Sequence, residues 1–220
     1  MKLRVIITGT TGMVGEGVLL EALSNPAVEQ VLVINRKPLG RTHPKLKEII
    51  HPNFYDITPI QEQLKGYNAC FFCLGTSSMS MNETDYTKVT YTLTLHVANV
   101  LLKQNPGMTF IYVSGAGTDS TEKGRTMWAR VKGKTENDLL ALGFKDAYAF
   151  RPGLMQATEG QRNLLPAYKY LAWLAPTLVR FFPSFASTLA QVGQAMIVAA
   201  TKGSPKKVLE VKDIIALSKG

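Results

Sequence analysis

The stretch that decides the fold is Leu3-Arg4-Val5-Ile6-Ile7-Thr8-Gly9-Thr10-Thr11-Gly12-Met13-Val14-Gly15. A short β-branched run leads into three glycines at three-residue spacing, and an apolar helical pattern follows. This strand–turn–helix order is typical of dinucleotide binding, because the free N–H groups at a helix N-terminus bind a pyrophosphate. We expect Gly9 to form the tight turn, Gly12 to admit the phosphates and Gly15 to let the helix pack on the strand.

The composition is that of an ordinary globular protein. The chain has 220 residues, of which 45% are hydrophobic and 19% are charged, so one domain with a substantial core is expected. The first 15 residues are predicted to form a strand and a glycine loop, so we expect no signal peptide. The net charge is +9, but the basic residues are scattered and no nucleic-acid-binding motif accompanies them. An anionic cofactor and general solubility explain part of this charge, and nucleic-acid binding is not expected.

Two cysteines, Cys70 and Cys73, lie on one apolar run. A C-x-x-C pair can be a redox or metal site, but residues three apart on a strand point to opposite faces. No second Cys or His pair completes a zinc site, so no metal is expected. The pattern predicts buried, reduced thiols and a cytoplasmic protein.

Strand and helix patterns alternate along the chain without repeats. The expected strands lie near 3–8, 30–34, 47–50, 69–74, 109–114, 146–150 and 208–211, and the expected helices near 13–24, 59–65, 83–104, 127–143 and 187–202, with a short helix in the tail. Continuous apolar strands suit a sheet that is covered on both faces. The predicted fold class is α/β, a doubly wound parallel sheet of the NAD(P)-binding Rossmann type. Residues 1–155 would form its core, and 156–220 a small, mostly helical C-terminal lobe that completes the same domain.

The segment 164–182 is strongly apolar and long enough for a membrane helix. However, Pro166 and Pro176 interrupt it, and Lys169 and Arg180 charge it, so no transmembrane segment is expected. The pattern favours a helical lobe that covers the cofactor cleft or forms a homodimer contact. A role at a membrane surface is the alternative.

The end of the second strand selects the cofactor. An acid there would bind a ribose 2′-hydroxyl and favour NAD, but this chain has Asn35 and Arg36, the latter 21 residues after Gly15. A guanidinium can bind a 2′-phosphate through two hydrogen bonds. The sequence thus favours NADP, with a solvated surface arginine as the alternative.

Three further strand ends supply candidate contacts. Asp56 could accept a hydrogen bond from the adenine amino group, with Ile57 flanking the ring, or Asp56 could cap the next helix. The stretch Leu74-Gly75-Thr76 follows the fourth strand, where a glycine lets the backbone approach the second ribose. Ser114 follows the fifth strand and could bond substrate or cofactor, or cap a turn.

Taken together, these motifs resemble an atypical short-chain dehydrogenase/reductase, most closely the branch of the Tat-interacting protein. The resemblance runs in order from residue 3 to about 217, and its segments are 9–15, 73–76, 113–114, 131–136 and 150–153. It implies an oxidoreductase with an NADP-bound Rossmann core. The backbone of Pro152, Gly153 and Leu154 would then meet the nicotinamide carboxamide.

The active site that this resemblance implies is Tyr-x-x-x-Lys on one helical face, helped by a Ser after the fifth strand. The Lys lowers the Tyr pKa and holds the ribose, and the Tyr passes a proton to the substrate. Lys132 is present, but Trp128 occupies the Tyr position, and an indole is neither an acid nor a base at neutral pH. Ser114 is followed by Gly115, and Thr90 stands where the family has Asn. The binding half of the site is retained and the catalytic half is altered, which leaves Lys132 and Ser114 as the catalytic candidates.

Three functions remain open. The first is an NADP(H)-binding oxidoreductase whose turnover Trp128 puts in question. The second is a non-catalytic NADPH or redox sensor that acts through a protein partner, and the third is a nucleotide-sugar epimerase, against which the short C-terminal lobe counts. The candidate cofactor-binding residues are Gly9, Thr11, Gly12, Met13, Val14, Gly15, Arg36, Asp56, Ile57, Leu74, Gly75, Thr76, Ser114, Lys132, Pro152, Gly153 and Leu154.

Overall fold

A computed structural model describes residues 2–164 and 185–220. The strands in these ranges are β1 (Leu3–Thr8), β2 (Val28–Asn35), β3 (Leu46–Ile50), β4 (Ala69–Phe72), β5 (Thr109–Val113), β6 (Asp146–Arg151), β7 (Leu154–Gln156), β8 (Ala186–Thr188) and β9 (Val208–Glu210). Seven of them form one parallel sheet in the order β3-β2-β1-β4-β5-β6-β9, and β7 pairs with β8 separately. The predicted fold class is confirmed, while the β7–β8 pair was not predicted.

The helices occupy the positions that the periodicity predicts. They are α1 (Met13–Ser24), a 3-10 helix (Thr58–Leu64), α2 (Glu83–Thr87), α3 (Leu93–Gln104), α4 (Met127–Ala141), α5 (Leu189–Lys202) and α6 (Val211–Leu217). A π-helical turn, Lys88–Thr92, joins α2 to α3, so the predicted helix 83–104 is continuous but not uniform. Helix α5 begins later than predicted because Thr188 and Gln191 exchange side-chain-to-backbone hydrogen bonds as a capping box.

Helices cover both faces of the sheet and create two core layers. One layer packs α1 and α5 on the sheet, through side chains such as Val18 and Met196. The other packs the 3-10 helix, α3 and α4, through side chains such as Leu64 and Leu139. Because α5 lies against α1 and β9 lies beside β6, residues 186–220 share the core of the N-terminal residues.

The apolar segment 164–182 falls, after its first residue, outside the described residues. The roles that its sequence suggests therefore stay predictions. Within 2–164 and 185–220, no helix combines the length and the apolar character that a membrane crossing requires.

Both cysteines are free, Cys70 buried and Cys73 partly so. Burial raises the pKa of Cys73 to about 12 and that of Cys70 well above its ordinary value. Because the thiolate is the reactive form, neither side chain is a ready nucleophile.

The order of the sheet determines where a ligand can bind. Strand β1 lies between β2 and β4. The sheet continues through β3 on the β2 side and through β5, β6 and β9 on the β4 side. In such sheets ligands bind beyond the carboxyl ends of the strands, at the point where the strand order reverses. Strand β4 ends at Phe72, two residues earlier than predicted, so residues 73–76 form a loop at this point.

Candidate cofactor site

Close packing restricts the conformation of the glycine loop between β1 and α1. Gly9 has a φ of +72°, and a Cβ on Gly15 would lie 2.2 Å from the Gly9 carbonyl oxygen, so neither position accepts a side chain. Gly12 and its neighbour Thr11 are exposed, while Met13 begins α1. The loop therefore fits a pyrophosphate, because the exposed turn leads directly to the N–H groups of a helix N-terminus.

The residue at the end of β2 braces this loop. Asn35 is buried; its Oδ1 accepts a 2.8 Å hydrogen bond from Thr10 Oγ1, and its Nδ2 donates at 2.9 Å to Glu48 Oε1. The same Glu48 oxygen accepts from the Leu39 N–H at 2.9 Å. Asn35 thus joins the glycine loop to the loop after β2, while the next residue, Arg36, remains exposed.

A pocket of about 290 Å³ lies beyond the ends of β2 and β4. Its wall includes Arg36, Phe54, Tyr55, Leu74, Gly75 and Thr76. The structure thus brings Arg36 together with the three candidates from the loop after β4. Its mixed aromatic and apolar wall suits a planar base, and the guanidinium at its side suits a phosphate.

Two other candidates do not line this pocket as predicted. The Ile57 side chain is fully buried and its N–H donates to His96 Nε2 at 3.1 Å, so this side chain is not exposed to the pocket. The Asp56 carboxylate accepts from the Thr58 hydroxyl at 2.5 Å and from the Thr58 N–H at 3.0 Å. These bonds lower the pKa of Asp56, and the geometry is that of the turn-capping alternative.

The Ser114 hydroxyl points into the protein and not into the cleft. It donates to the Glu136 carboxylate, and Ser114 itself is buried. Glu136, which is 1% exposed, was not among the predicted site residues, although it stands one helical turn after Lys132. The Ser114 proton is therefore committed to partners inside the protein, and its contact with a ligand stays a prediction.

Glu136 belongs to a buried ionic network. Arg151 donates to it through Nε at 3.0 Å and through Nη2 at 2.5 Å, and Nη1 donates to Glu210 at 3.0 Å. Burial opposes the charge of Arg151, but the two carboxylates outweigh it and raise the pKa of Arg151. The network ties α4 to the ends of β6 and β9.

Lys132 and Trp128 both contact the loop after β5. Lys132 Nζ donates to the Ser114 carbonyl at 2.5 Å, and a Cβ on Gly117 would lie 3.5 Å from the Trp128 ring. Burial lowers the pKa of Lys132 to about 8, against the opposing charge of Glu136. The spacing of four thus presents both side chains to one loop, as the helical pattern predicts.

The turn after β6 is already bonded within the protein. The Pro152 carbonyl accepts from the Ala116 N–H at 3.0 Å, and the Leu154 N–H donates to the Phe185 carbonyl at 2.9 Å. These bonds place the turn beside the loop after β5. They also occupy the Leu154 N–H, which the resemblance would offer to a carboxamide.

Comparison with known proteins agrees with this geometry. A model described as the NAD dependent epimerase/dehydratase family matches residues 5–126, more than half of the chain. The chain belongs to this family. A short-chain dehydrogenase/reductase family oxidoreductase from Burkholderia thailandensis is similar in structure, with a TM-score of 0.68 and 13% identity, covering 98% of this chain and 93% of its own. MoeE5, solved in complex with UDP-glucose and NAD, gives a TM-score of 0.67 at 15% identity, over 98% of this chain and 80% of its own.

Curated relatives of this family member correct the predicted location. Protein FMP52-1, mitochondrial, of Scheffersomyces stipitis is 27% identical over 194 residues, 84% of each chain. Relatives from Debaryomyces hansenii and Emericella nidulans have the same FMP52 name and are also called mitochondrial. The cytoplasmic prediction is wrong on this comparison. It rested on reduced thiols, which separate reducing compartments from oxidising ones but do not distinguish one reducing compartment from another.

Proposed function

We propose that this family member binds NADP(H) in preference to NAD(H), as an atypical short-chain dehydrogenase/reductase similar to the Tat-interacting-protein branch. The observation that carries the proposal is Arg36, an exposed guanidinium in the wall of the pocket beyond β2. Asn35 takes the place of an acid there and is bonded to Thr10 and Glu48. Neither Asn35 nor Arg36 has a carboxylate that would bind a ribose 2′-hydroxyl. The Arg36 guanidinium would instead bind a 2′-phosphate.

In this proposal the rest of the dinucleotide lies along the strand ends. The N–H groups of 11–14 would hold the pyrophosphate, and the loop 74–76 would approach the second ribose. Lys132 would donate to that ribose, since its ammonium already reaches the loop after β5. Bound NADPH would supply a hydride at its nicotinamide end.

An oxidoreductase assignment has the least support at the proton-transfer step. Trp128 stands at the sequence position where the family pattern has a tyrosine, and the Ser114 hydroxyl is bonded to Glu136. The same features count against an epimerase, which needs a proton-transferring group beside the substrate as well. They favour the second candidate function, in which the protein binds NADPH without efficient turnover and signals through a protein partner.

Arg36→Ala tests the cofactor assignment. A charge-assisted hydrogen bond contributes about 1.5–3 kcal/mol, so we expect NADPH affinity to fall roughly tenfold to a hundredfold. NADH affinity should change much less, because NADH has no 2′-phosphate. Titration calorimetry of both proteins with both cofactors measures the two ratios.

The neighbouring Lys37→Ala is the matched control for this test. It removes the same charge from the next exposed position, and we expect only a small change for either cofactor. An equal loss of NADPH and NADH binding in Arg36→Ala would contradict the assignment of Arg36 to the 2′-phosphate.

A further inference from the structure

A buried carboxylate lies one helical turn after the exposed part of the glycine loop. Glu16 is 2% exposed, and its N–H donates to the Gly12 carbonyl at 3.0 Å. Its carboxylate accepts from the Arg162 N–H at 3.0 Å to each oxygen, from the Asn163 N–H at 2.7 Å and from Asn163 Nδ2 at 3.0 Å. Charge-assisted bonds of this kind compensate a buried carboxylate for the water it has lost.

The donors belong to residues 158–163, which we call the strap. The strap also contacts the start of α1, because Gln161 Nε2 donates to the Met13 carbonyl at 2.8 Å. It thereby lies directly against the helical turn that we assign to the pyrophosphate.

Arg41 completes this arrangement. Its Nη2 lies 3.6 Å from Glu16 Oε1 and 3.5 Å from the Gly160 carbonyl, and its side chain is 24% exposed. In the described residues, Arg41 is the cation that pairs with Glu16. It also links the loop after β2 to the strap.

The position of Glu16 creates an electrostatic conflict with the cofactor. A negative side chain in the first turn suits the helix dipole, but it repels a pyrophosphate bound at the same N-terminus. The repulsion is small only while the carboxylate is held by the strap and paired with Arg41.

We infer that Glu16 and Arg41 are positioning residues that couple dinucleotide binding to closure of the strap. A bound pyrophosphate favours the state in which the strap and Arg41 neutralise Glu16, and by reciprocity a closed strap favours the pyrophosphate. Arg41 thus supports NADPH and NADH alike, in contrast to Arg36. The inference rests on the proposed cofactor site and adds to it a link to the C-terminal residues.

The test is a double-mutant cycle on the full chain, read by calorimetry with NADPH and with NADH. Arg41→Gln should weaken both cofactors by the same factor, about three- to tenfold, since it leaves Glu16 without its cation. In a Glu16→Gln background the further change Arg41→Gln should have less than about a twofold effect, because no charge remains to be neutralised.

Amide hydrogen exchange supplies a readout that simple loss of packing would not reproduce. In the wild-type protein, NADPH should slow exchange of the Arg162 and Asn163 amides several-fold. In Glu16→Gln these amides should exchange faster without cofactor, and NADPH should no longer change their rate.

Arg162→Gln is the matched control for charge. The Arg162 side chain approaches the Gly40 carbonyl at 3.5 Å, and only its backbone N–H bonds Glu16, so its effect should be smaller and independent of Glu16. If Arg41→Gln weakens NADPH alone, Arg41 is a second 2′-phosphate ligand and the inference is wrong. Exchange rates of the Arg162 and Asn163 amides that do not change on addition of NADPH would also overturn the inference. Failure of the wild type to bind either cofactor would overturn the proposed function as well.

Discussion

Glu136→Gln should lower the free energy of unfolding by about 3–5 kcal/mol, because it leaves a buried guanidinium without its main counter-charge. Glu136 accepts three hydrogen bonds from Arg151 and one from Ser114. A glutamine has one acceptor oxygen and no charge, so it cannot replace this set. Urea unfolding followed by circular dichroism measures the loss.

Glu210→Gln is the natural control, since it removes the other carboxylate that Arg151 contacts. The Glu210 side chain is 51% exposed, so water can replace it, and the expected loss is below about 1 kcal/mol. The double variant Glu136→Gln with Arg151→Met should recover part of the stability, because it removes the uncompensated cation too. Equal losses in Glu136→Gln and Glu210→Gln would show that burial does not set the strength of this pair.

Residues that are close in sequence allowed much of the fold to be predicted. The glycine motif is contained within seven residues, and the apolar strand patterns are local in sequence as well. The parallel sheet could be predicted because strand and helix patterns alternate along the chain, which is typical of β-α units joined with a single handedness. The β7–β8 pair was missed because its strands have only three residues each and too little alternation to recognise.

Side-chain partners distant in sequence were the part that could not be predicted. The sequence alone does not show whether the Ser114 hydroxyl faces a ligand. The fold places Glu136, 22 residues away, in hydrogen-bond contact with it. Ile57 was expected to flank the adenine, but it directly precedes the 3-10 helix and its side chain is fully buried in the core. The partners of Glu16 lie 146 and 147 residues along the chain, a separation at which no local pattern is informative.

Trp128→Tyr is expected to raise NADPH-dependent carbonyl reduction above the wild-type rate, by as much as about 10²–10⁴-fold. The wild-type protein should show little or no turnover with simple ketones and aldehydes, because an indole cannot supply the proton. Tyrosine would bring a phenol to the loop that Trp128 and Lys132 both contact. NADPH affinity should stay within about twofold, since the pocket at Arg36 is unchanged.

The gain should depend on a charged Lys132. Burial lowers the pKa of Lys132 to about 8, so the ammonium is lost as the pH rises through that value. The activity of Trp128→Tyr should therefore fall above about pH 8, and Trp128→Tyr with Lys132→Met should remove it. Trp128→Phe is the matched control, because it makes the same reduction in ring size without a hydroxyl.

The assay is NADPH oxidation against a carbonyl panel, with all four proteins at several pH values. Activity in Trp128→Phe equal to that of Trp128→Tyr would show that the gain comes from the smaller ring and not from a new proton donor. Robust turnover by the wild type would mean that another group supplies the proton, and the sensor function would then be rejected. Low wild-type turnover with a tyrosine-specific, lysine-dependent gain is the result expected of a dinucleotide site that retains its binding residues and lacks its acid.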